Sequence, residues 1–270
     1  MVSCSEKLTT SDGDYTIKGT PPNDEVWYQT IDGKKLNISG LGYDEYEDEL
    51  IADRVIKSHT YKGGIGVIKF VKPISIFSVD DINNRINNII DQERIHAINL
   101  PESVKKICLH GCENLTDVKL PTRLEILDHS AFSECKALTH LNIPNSVTAI
   151  NGYVFYNCGL TSIQLPSGLT FLDGCNFVKS NIETIYFPST ISEIDSYAFE
   201  ENSYDDLEEH HTIQKVYIPC KTPPTVINPR WHYPPTTIKF LVPKESLEAY
   251  RTAEWWNEIN ANQFIGYDFN

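Results

Sequence analysis

Three groupings in this sequence carry residue types that can do chemistry. Cys108 and Cys112 flank His110, thiolates and an imidazole of the kind that bind zinc, yet no second pair follows at zinc-ligand spacing. Instead Cys112, Cys135 and Cys158 recur 23 residues apart, the spacing of a structural repeat. Asp44, Glu45, Glu47, Asp48, Glu49 and Asp53 offer oxygen ligands to calcium. They lack the glycine and the alternating order of a calcium loop, so a solvated acidic loop is expected. Asp205, Asp206, Glu208 and Glu209 read the same way, and His210-His211 beside them is a bare pair without further ligands. Catalysis needs a nucleophile, a base and an orienting group, or two carboxylates in a cleft. The chain has no GxSxG, HExxH, P-loop or GxGxxG sequence, and Gly63-Gly64-Ile65-Gly66 sits inside an alternating strand pattern. No enzyme, metal or cofactor is expected.

Composition narrows the partners. In 270 residues, 23 Lys+Arg stand against 37 Asp+Glu, a formal net charge of −14, with 40% apolar residues. That apolar fraction supports a folded core, and no run approaches the roughly 18 apolar residues that span a bilayer. The negative balance repels phosphate backbones and anionic lipid, which excludes nucleic acid and direct membrane insertion as expectations. Seven cysteines are too few for a disulfide scaffold, and their odd number leaves at least one free or paired between chains. The redox state of Cys4, Cys175 and Cys220 is left open. The sequence turns polar directly after Met1 and shows no signal peptide, which fits a cytoplasmic start or a removed export signal. Val2-Ser3-Cys4 resembles the end of a bacterial lipobox, so Cys4 is either a lipidation site or a free terminal cysteine.

The elements that must position any site are set by a period. Pro101, Pro121, Pro144, Pro166, Pro188, Pro219 and Pro243 follow one another at 20, 23, 22, 22, 31 and 24 residues. A recurring interval in the twenties marks a stacked solenoid. Before each proline the apolar offsets repeat, as in Leu138, Leu141, Ile143 and in Leu160, Ile163, Leu165, giving L-x-x-L-x-I-P. The alternation is that of a short strand with one buried face, ended by a proline that donates no ladder hydrogen bond. Three and six residues after the proline comes a second apolar pair, such as Leu124/Leu127 and Val147/Ile150. Between the two segments lies a small-aromatic step, Ala131-Phe132, Val154-Phe155, Asn176-Phe177 and Ala198-Phe199, followed by the column Cys135, Cys158, Ser180, Asn202. Small side chains able to bond at a buried backbone turn make that column structural.

The stretch from Leu138 to Cys158 resembles the BspA-like subclass of leucine-rich repeats, and the resemblance holds at full repeat specificity from about residue 95 to 220. Glu25–Lys34 and Ser58–Phe70 are similar to the segments that precede the first repeat in Bacteroidetes members. Thr222–Thr225, Leu241–Tyr250 and Trp255-Trp256 resemble their C-terminal closure. The resemblance implies a right-handed leucine-rich-repeat solenoid of short β-strands, turns and small helical pieces, with an N-terminal β-hairpin cap and a C-terminal helical cap. It also implies an extracellular or outer-surface protein of adhesive function. The expected division is a flexible segment 1–20, a β-rich capping region 21–94, repeats 95–220, and a repeat remnant with cap 221–270. Asp32-Gly33 and Gly63-Gly64 each predict a hairpin turn, and Pro243–Arg251 a short helix. Cys175-Asn176-Phe177 departs from the usual step and is expected to weaken its turn. About nine residues added around Tyr204–Thr212 are expected to form a loop on one face.

On each repeat strand the residues between the buried ones must face outward. The pairs are Ala97/Asn99, Asp117/Lys119, His140/Asn142, Ser162/Gln164, Thr184/Tyr186, Lys215/Tyr217 and Lys239/Leu241. Seven such strands at roughly 4.8 Å would make a ribbon on the order of 30 Å long. The ten residues from Asp117 to Tyr217 in this set are the candidate binding residues, with Tyr186 and Tyr217 adjacent. Tyrosine offers area and a hydroxyl at little entropic cost. The expected partner is a host or bacterial surface protein. The alternative is a carbohydrate, as a surface component of polysaccharide uptake, suggested by 4 Trp and 14 Tyr and by Trp231-His232-Tyr233 as a platform. A structural spacer with ordinary solvated strand positions is the third reading.

Overall fold

The computed structural model describes residues 17–38, 43–44, 49–50, 56–79, 91–199, 212–228 and 237–269. Cys4, the acidic run apart from the backbone at 44 and 49, the insert at 202–211 and Trp231-His232-Tyr233 lie outside them.

The period becomes two ladders of short parallel strands. The segments before the prolines pair in register, Ser162–Gln164 with Thr184–Tyr186, then Lys215–Tyr217, then Lys239–Pro243. The segments after the prolines form a seven-stranded sheet from Ile76–Ser78 through Lys106–Cys108, Ile126–Leu127, Ala149–Ile150, Phe171–Leu172 and Glu193–Asp195 to Thr225–Ile227. Between the two lies the core. Ile107, Leu127, Ile150, Leu172 and Ile194 face it from the second ladder, and Leu100, Ile163, Ile185 and Val216 from the first. Phe132, Phe155 and Phe177 stack through it, with centroids 6.3 and 6.0 Å apart and rings parallel within 4°.

The turns repeat as strictly as the strands. Ser130, Tyr153 and Cys175 share one left-handed position, and Gly111, Glu134, Asn157 and Lys179 share a second. Their N–H groups donate to the next coil, Ser130 to Gly152 O, Glu134 to Tyr156 O and Asn157 to Val178 O, so hydrogen bonding between coils maintains a conformation that most side chains disfavour. The cysteine column is structural, with Cys135 Sγ donating to Leu109 O, Cys158 Sγ to Cys135 O, and Ser180 Oγ to Phe177 O at 2.7 Å. Burial raises the Cys112 and Cys135 thiols well above their ordinary range. At the irregular step the expectation of a weakened turn fails. The buried Asn176 accepts from Val154 N–H through Oδ1 at 2.9 Å and donates to Asp173 O, linking its own turn to the previous coil.

Two further expectations are corrected. Asp32-Gly33 turns the chain but makes no hairpin, because residues 34–38 form no strand. Both edges of Glu25–Thr30 are already taken, by Ile65–Phe70 and by Ile95–Asn99, each antiparallel. Arg94 instead fastens the turn, donating to Asp32 at 2.8 Å and to Lys34 O. Gly63-Gly64 does turn a hairpin, with φ of 60 and 79° as a type I′ turn requires. Residues 139–143 also form no strand, although Leu138 and Ile143 stay buried. The first ladder is therefore split, into Ile95–Asn99 with Asp117–Lys119 and a far part beginning at Ser162.

At the other end a one-turn 3-10 helix, Lys244–Ser246, leads into the α-helix Leu247–Thr252. Trp256 packs edge-on against Phe240 and Tyr250, and its indole donates to Pro224 O at 2.8 Å. After it, Phe264–Tyr267 returns as a fifth parallel strand beside Lys239–Pro243. Among the described residues no helix is long and apolar enough to cross a membrane, and no three His, Cys, Asp or Glu side chains gather as a metal site.

Candidate binding face

The ten candidate residues do not form one surface. At the near end, Ala97 and Asn99 are fully buried and not solvated. Ala97 packs with Ile17, Trp27 and Ile65 in a second small core, and Asn99 donates to the carbonyls of Ile17 and Gly19 at 3.1 and 3.0 Å. The segment 17–20 thus runs over the outward side of the first strands. Lys119 joins in, donating to Gly19 O and to Thr20 Oγ1 at 2.7 Å, and Asp117 is half-buried. His140 and Asn142 are exposed but lie in the stretch that leaves the ladder, where His140 pairs with the Thr139 hydroxyl at 2.9 Å.

The far part does assemble. Ser162, Thr184, Lys215 and Lys239 fall in one register row, and Gln164, Tyr186, Tyr217, Leu241 and Ile265 in the next. Tyr186 and Tyr217 stack with centroids 4.6 Å apart and 17° between planes. Tyr267 meets Tyr217 edge-on at 5.2 Å, and Phe269 meets Tyr267 at 4.9 Å. Tyr186, Ile265 and Tyr267 are 38, 43 and 41% exposed, which makes this face hold half of the large apolar side chains exposed among the described residues. Leu241 differs from expectation in being buried, flanked in register by Tyr217 and Ile265. Gln164 is engaged with the backbone, donating to Leu165 O at 3.3 Å and more weakly to Tyr186 O. Ser162, Lys215 and Lys239 are exposed.

Ile265, Tyr267 and Phe269 were not among the expected residues. Their signal was the alternation in Phe264-Ile265-Gly266-Tyr267-Asp268-Phe269, a strand pattern beyond the last proline of the series. A smaller aromatic group lies on the turns, where His129 meets Tyr153 edge-on at 5.4 Å and Tyr153 lies 6.1 Å from Tyr156.

These features define a leucine-rich-repeat protein of many short parallel strands. Residues 102–218 match the model of the BspA type leucine rich repeat region in six copies, so this part of the chain is built of BspA-type leucine-rich repeats. No curated protein matches the sequence. Among solved structures it is similar to the pneumococcal vaccine antigen PcpA, with 18% identity and a TM-score of 0.52 over 64% of this chain. The match spans only 42% of the PcpA chain. It is also similar, at 18% identity and a TM-score of 0.42, to a leucine rich cell surface protein from Faecalibacterium prausnitzii, over 74% of this chain and 45% of that one. A leucine-rich-repeat protein of T. pallidum aligns over 55% of this chain and 67% of its own, with a TM-score of 0.43.

Proposed function

We propose that this protein is a non-enzymatic, adhesin-like module of the bacterial cell surface that binds another protein through the far part of its first ladder. In this reading the coils wind right-handed, and regions 21–94 and 221–270 close the two ends of the repeats at 95–220. The BspA-type repeats support the surface location, and Cys4 is the proposed site of a lipid anchor. The observation that carries the binding role is the stack of Tyr186 on Tyr217 with Tyr267 beside it, an exposed aromatic surface on rigid strands. Scattered exposed apolar residues are ordinary in a soluble protein, but here they share neighbouring register rows.

The test is a binding screen of the purified protein on extracellular-matrix and serum proteins, with glycans as a second arm. A saturable protein signal that weakens about tenfold or more in a Tyr186→Ala/Tyr217→Ala variant is expected. A glycan signal with silent proteins would replace this reading with carbohydrate binding, which the same stacked rings could serve. Silence on both would leave a structural spacer.

A further inference from the structure

The two parts of the first ladder present the same kind of surface in two conditions. At the near part the outward face already holds a short piece of polypeptide, residues 17–20, which bends at Gly19. It is held in two ways. Ile17 packs on Ala97 and Trp27, and polar side chains rising from the strands, Asn99 and Lys119, donate to the segment's oxygen atoms. An apolar floor with strand-borne donors directed at acceptors is therefore a peptide-holding arrangement that this protein uses on itself.

The far part repeats both components and leaves them open. Tyr186, Tyr217 and Ile265 supply the floor. Lys215 and Lys239 supply the donors, and they stand directly opposite each other in register on adjacent strands. Like charges so placed repel one another and favour a bound anion. Neither lysine has an acidic partner among the described residues, and no outward position of the five far strands from Ser162 to Tyr267 is acidic. Of two neighbouring acids, Asp268 is paired with Lys244, and the exposed Glu183 stands one position before its strand, outside the outward strand positions. In a chain of net charge −14 a face whose outward strand positions hold two lysines and, among the described residues, no carboxylate is a local reversal of sign.

The geometry points to an extended, carboxylate-bearing segment of a partner protein as the ligand of this face. Its acidic side chains pair with Lys215 and Lys239, and its apolar side chains lie on the Tyr186–Tyr217 stack. This rests on the reading of the far ladder as the binding face and adds the chemistry of what binds.

The probes are three short synthetic peptides of equal length, alternating Phe with Glu, Phe with Gln, and Phe with Lys, each titrated into the purified full chain by fluorescence anisotropy. Sulfated polysaccharide is titrated in parallel. The expected order is Glu over Gln by about tenfold or more, with the Lys peptide silent and the Glu affinity falling as salt is raised. A Lys215→Glu/Lys239→Glu variant should invert that order. Both side chains are exposed, so an unchanged circular dichroism spectrum confirms that the variant is folded. Equal binding of the Glu and Gln peptides, or an order that survives the charge reversal, would overturn the inference. So would binding of the polysaccharide in preference to every peptide. The two levels separate through the tyrosines. If Tyr186→Ala/Tyr217→Ala abolishes binding while charge reversal changes nothing, the face is right and the acidic ligand wrong; if neither variant matters, the face itself is wrong.

Discussion

The near and far parts of the first ladder are built from the same repeat, yet they treat their outward side oppositely. At the near end several of the charges reaching that side or its flank are partnered. Lys69 contacts Glu25 at 2.8 Å and Asp24 at 3.2 Å, Arg94 bridges Asp32 and Asp91, and Lys119 holds the segment 17–20. Even Trp27 donates its indole N–H to Glu25 at 3.0 Å. At the far end the effort goes inward. Trp255, Trp256, Tyr250 and Phe264 are buried in the core, while Tyr186, Lys215 and Lys239 are left in water. A solenoid must cover its end coils, but it need not cover its faces. The near end is organised for stability on both sides, and the far end for stability on one.

The largest effects should come from the seals. Replacing Trp256 with Ala removes a fully buried indole from contact with Phe240, Tyr250 and Phe264 and leaves Pro224 O without its donor. A loss of about 3–5 kcal/mol is expected in chemical denaturation. A loss under about 1 kcal/mol would mean that the far core is closed by something other than this side chain. At the near end the sensitive position is Gly66. A Cβ there would lie 1.9 Å from the ring carbon that bears the Tyr28 hydroxyl, and Tyr28 is fully buried. Gly66→Ala should cost about 1–3 kcal/mol, because the ring is pinned at its hydroxyl and has no empty space to enter. Unchanged thermal unfolding would show that the hairpin shifts freely on the strand beneath it.

That pinning gives the near end a pH dependence. Tyr28 accepts from Leu36 N–H at 3.1 Å and its hydroxyl is hydrogen-bonded to His59 Nε2 at 2.5 Å. Burial, assisted by the charge of Lys35, lowers His59 to about 4. An unfolded histidine titrates near 6.5, so between these values the unfolded chain binds a proton that the folded chain refuses. The contribution of His59 is complete above about pH 6.5 and is lost as the pH falls towards 4. The side chain is half-exposed, and solvent screening keeps the effect to the order of 1 kcal/mol. His59→Gln keeps a hydrogen-bonding partner for Tyr28 without the titration, so its melting temperature should fall less than that of the parent over this window. Parallel curves would remove His59 from the acid response.

How much of this was legible varies with the physics of each part. The inward positions were readable because burial alternates with the chain and leaves apolar residues at fixed offsets, and the cysteine column was readable because the turn admits only small side chains there. Asn176 was misread because its type seemed wrong for the step; its amide replaces lost packing with two hydrogen bonds, which no spacing reveals. Asn99 and Ala97 were misread for the same class of reason. Their outward position is set by local alternation, but whether water reaches them depends on residues 17–20, some eighty positions earlier in the chain. The Asp32-Gly33 turn failed as a hairpin because competition for the edges of Glu25–Thr30 is settled by tertiary pairing. Tyr186 and Tyr217 were legible as neighbours, whereas Tyr267 joined them through a strand that lacks the proline.

The smallest effect separates the two ends most directly. If the far lysines are maintained for a ligand, they should cost the free protein something, since Lys215 and Lys239 oppose each other in register and no described acid offsets them. Replacing Lys239 with Gln keeps an uncharged polar side chain at this exposed position and removes the repulsion, so stability should rise by a few tenths of a kcal/mol. Raising the salt concentration should reduce that gain, because screening relieves the parent but not the variant. At the near end the corresponding change runs the other way. Lys119→Gln shortens a donor that holds Gly19 O and Thr20 Oγ1, and a small loss of stability is expected there. Opposite signs for two lysines on one ladder would mean that the face is part of the fold at one end and reserved for binding at the other. A loss at both would show that Lys239 also serves the fold, and the contrast between the ends would then reduce to exposure alone.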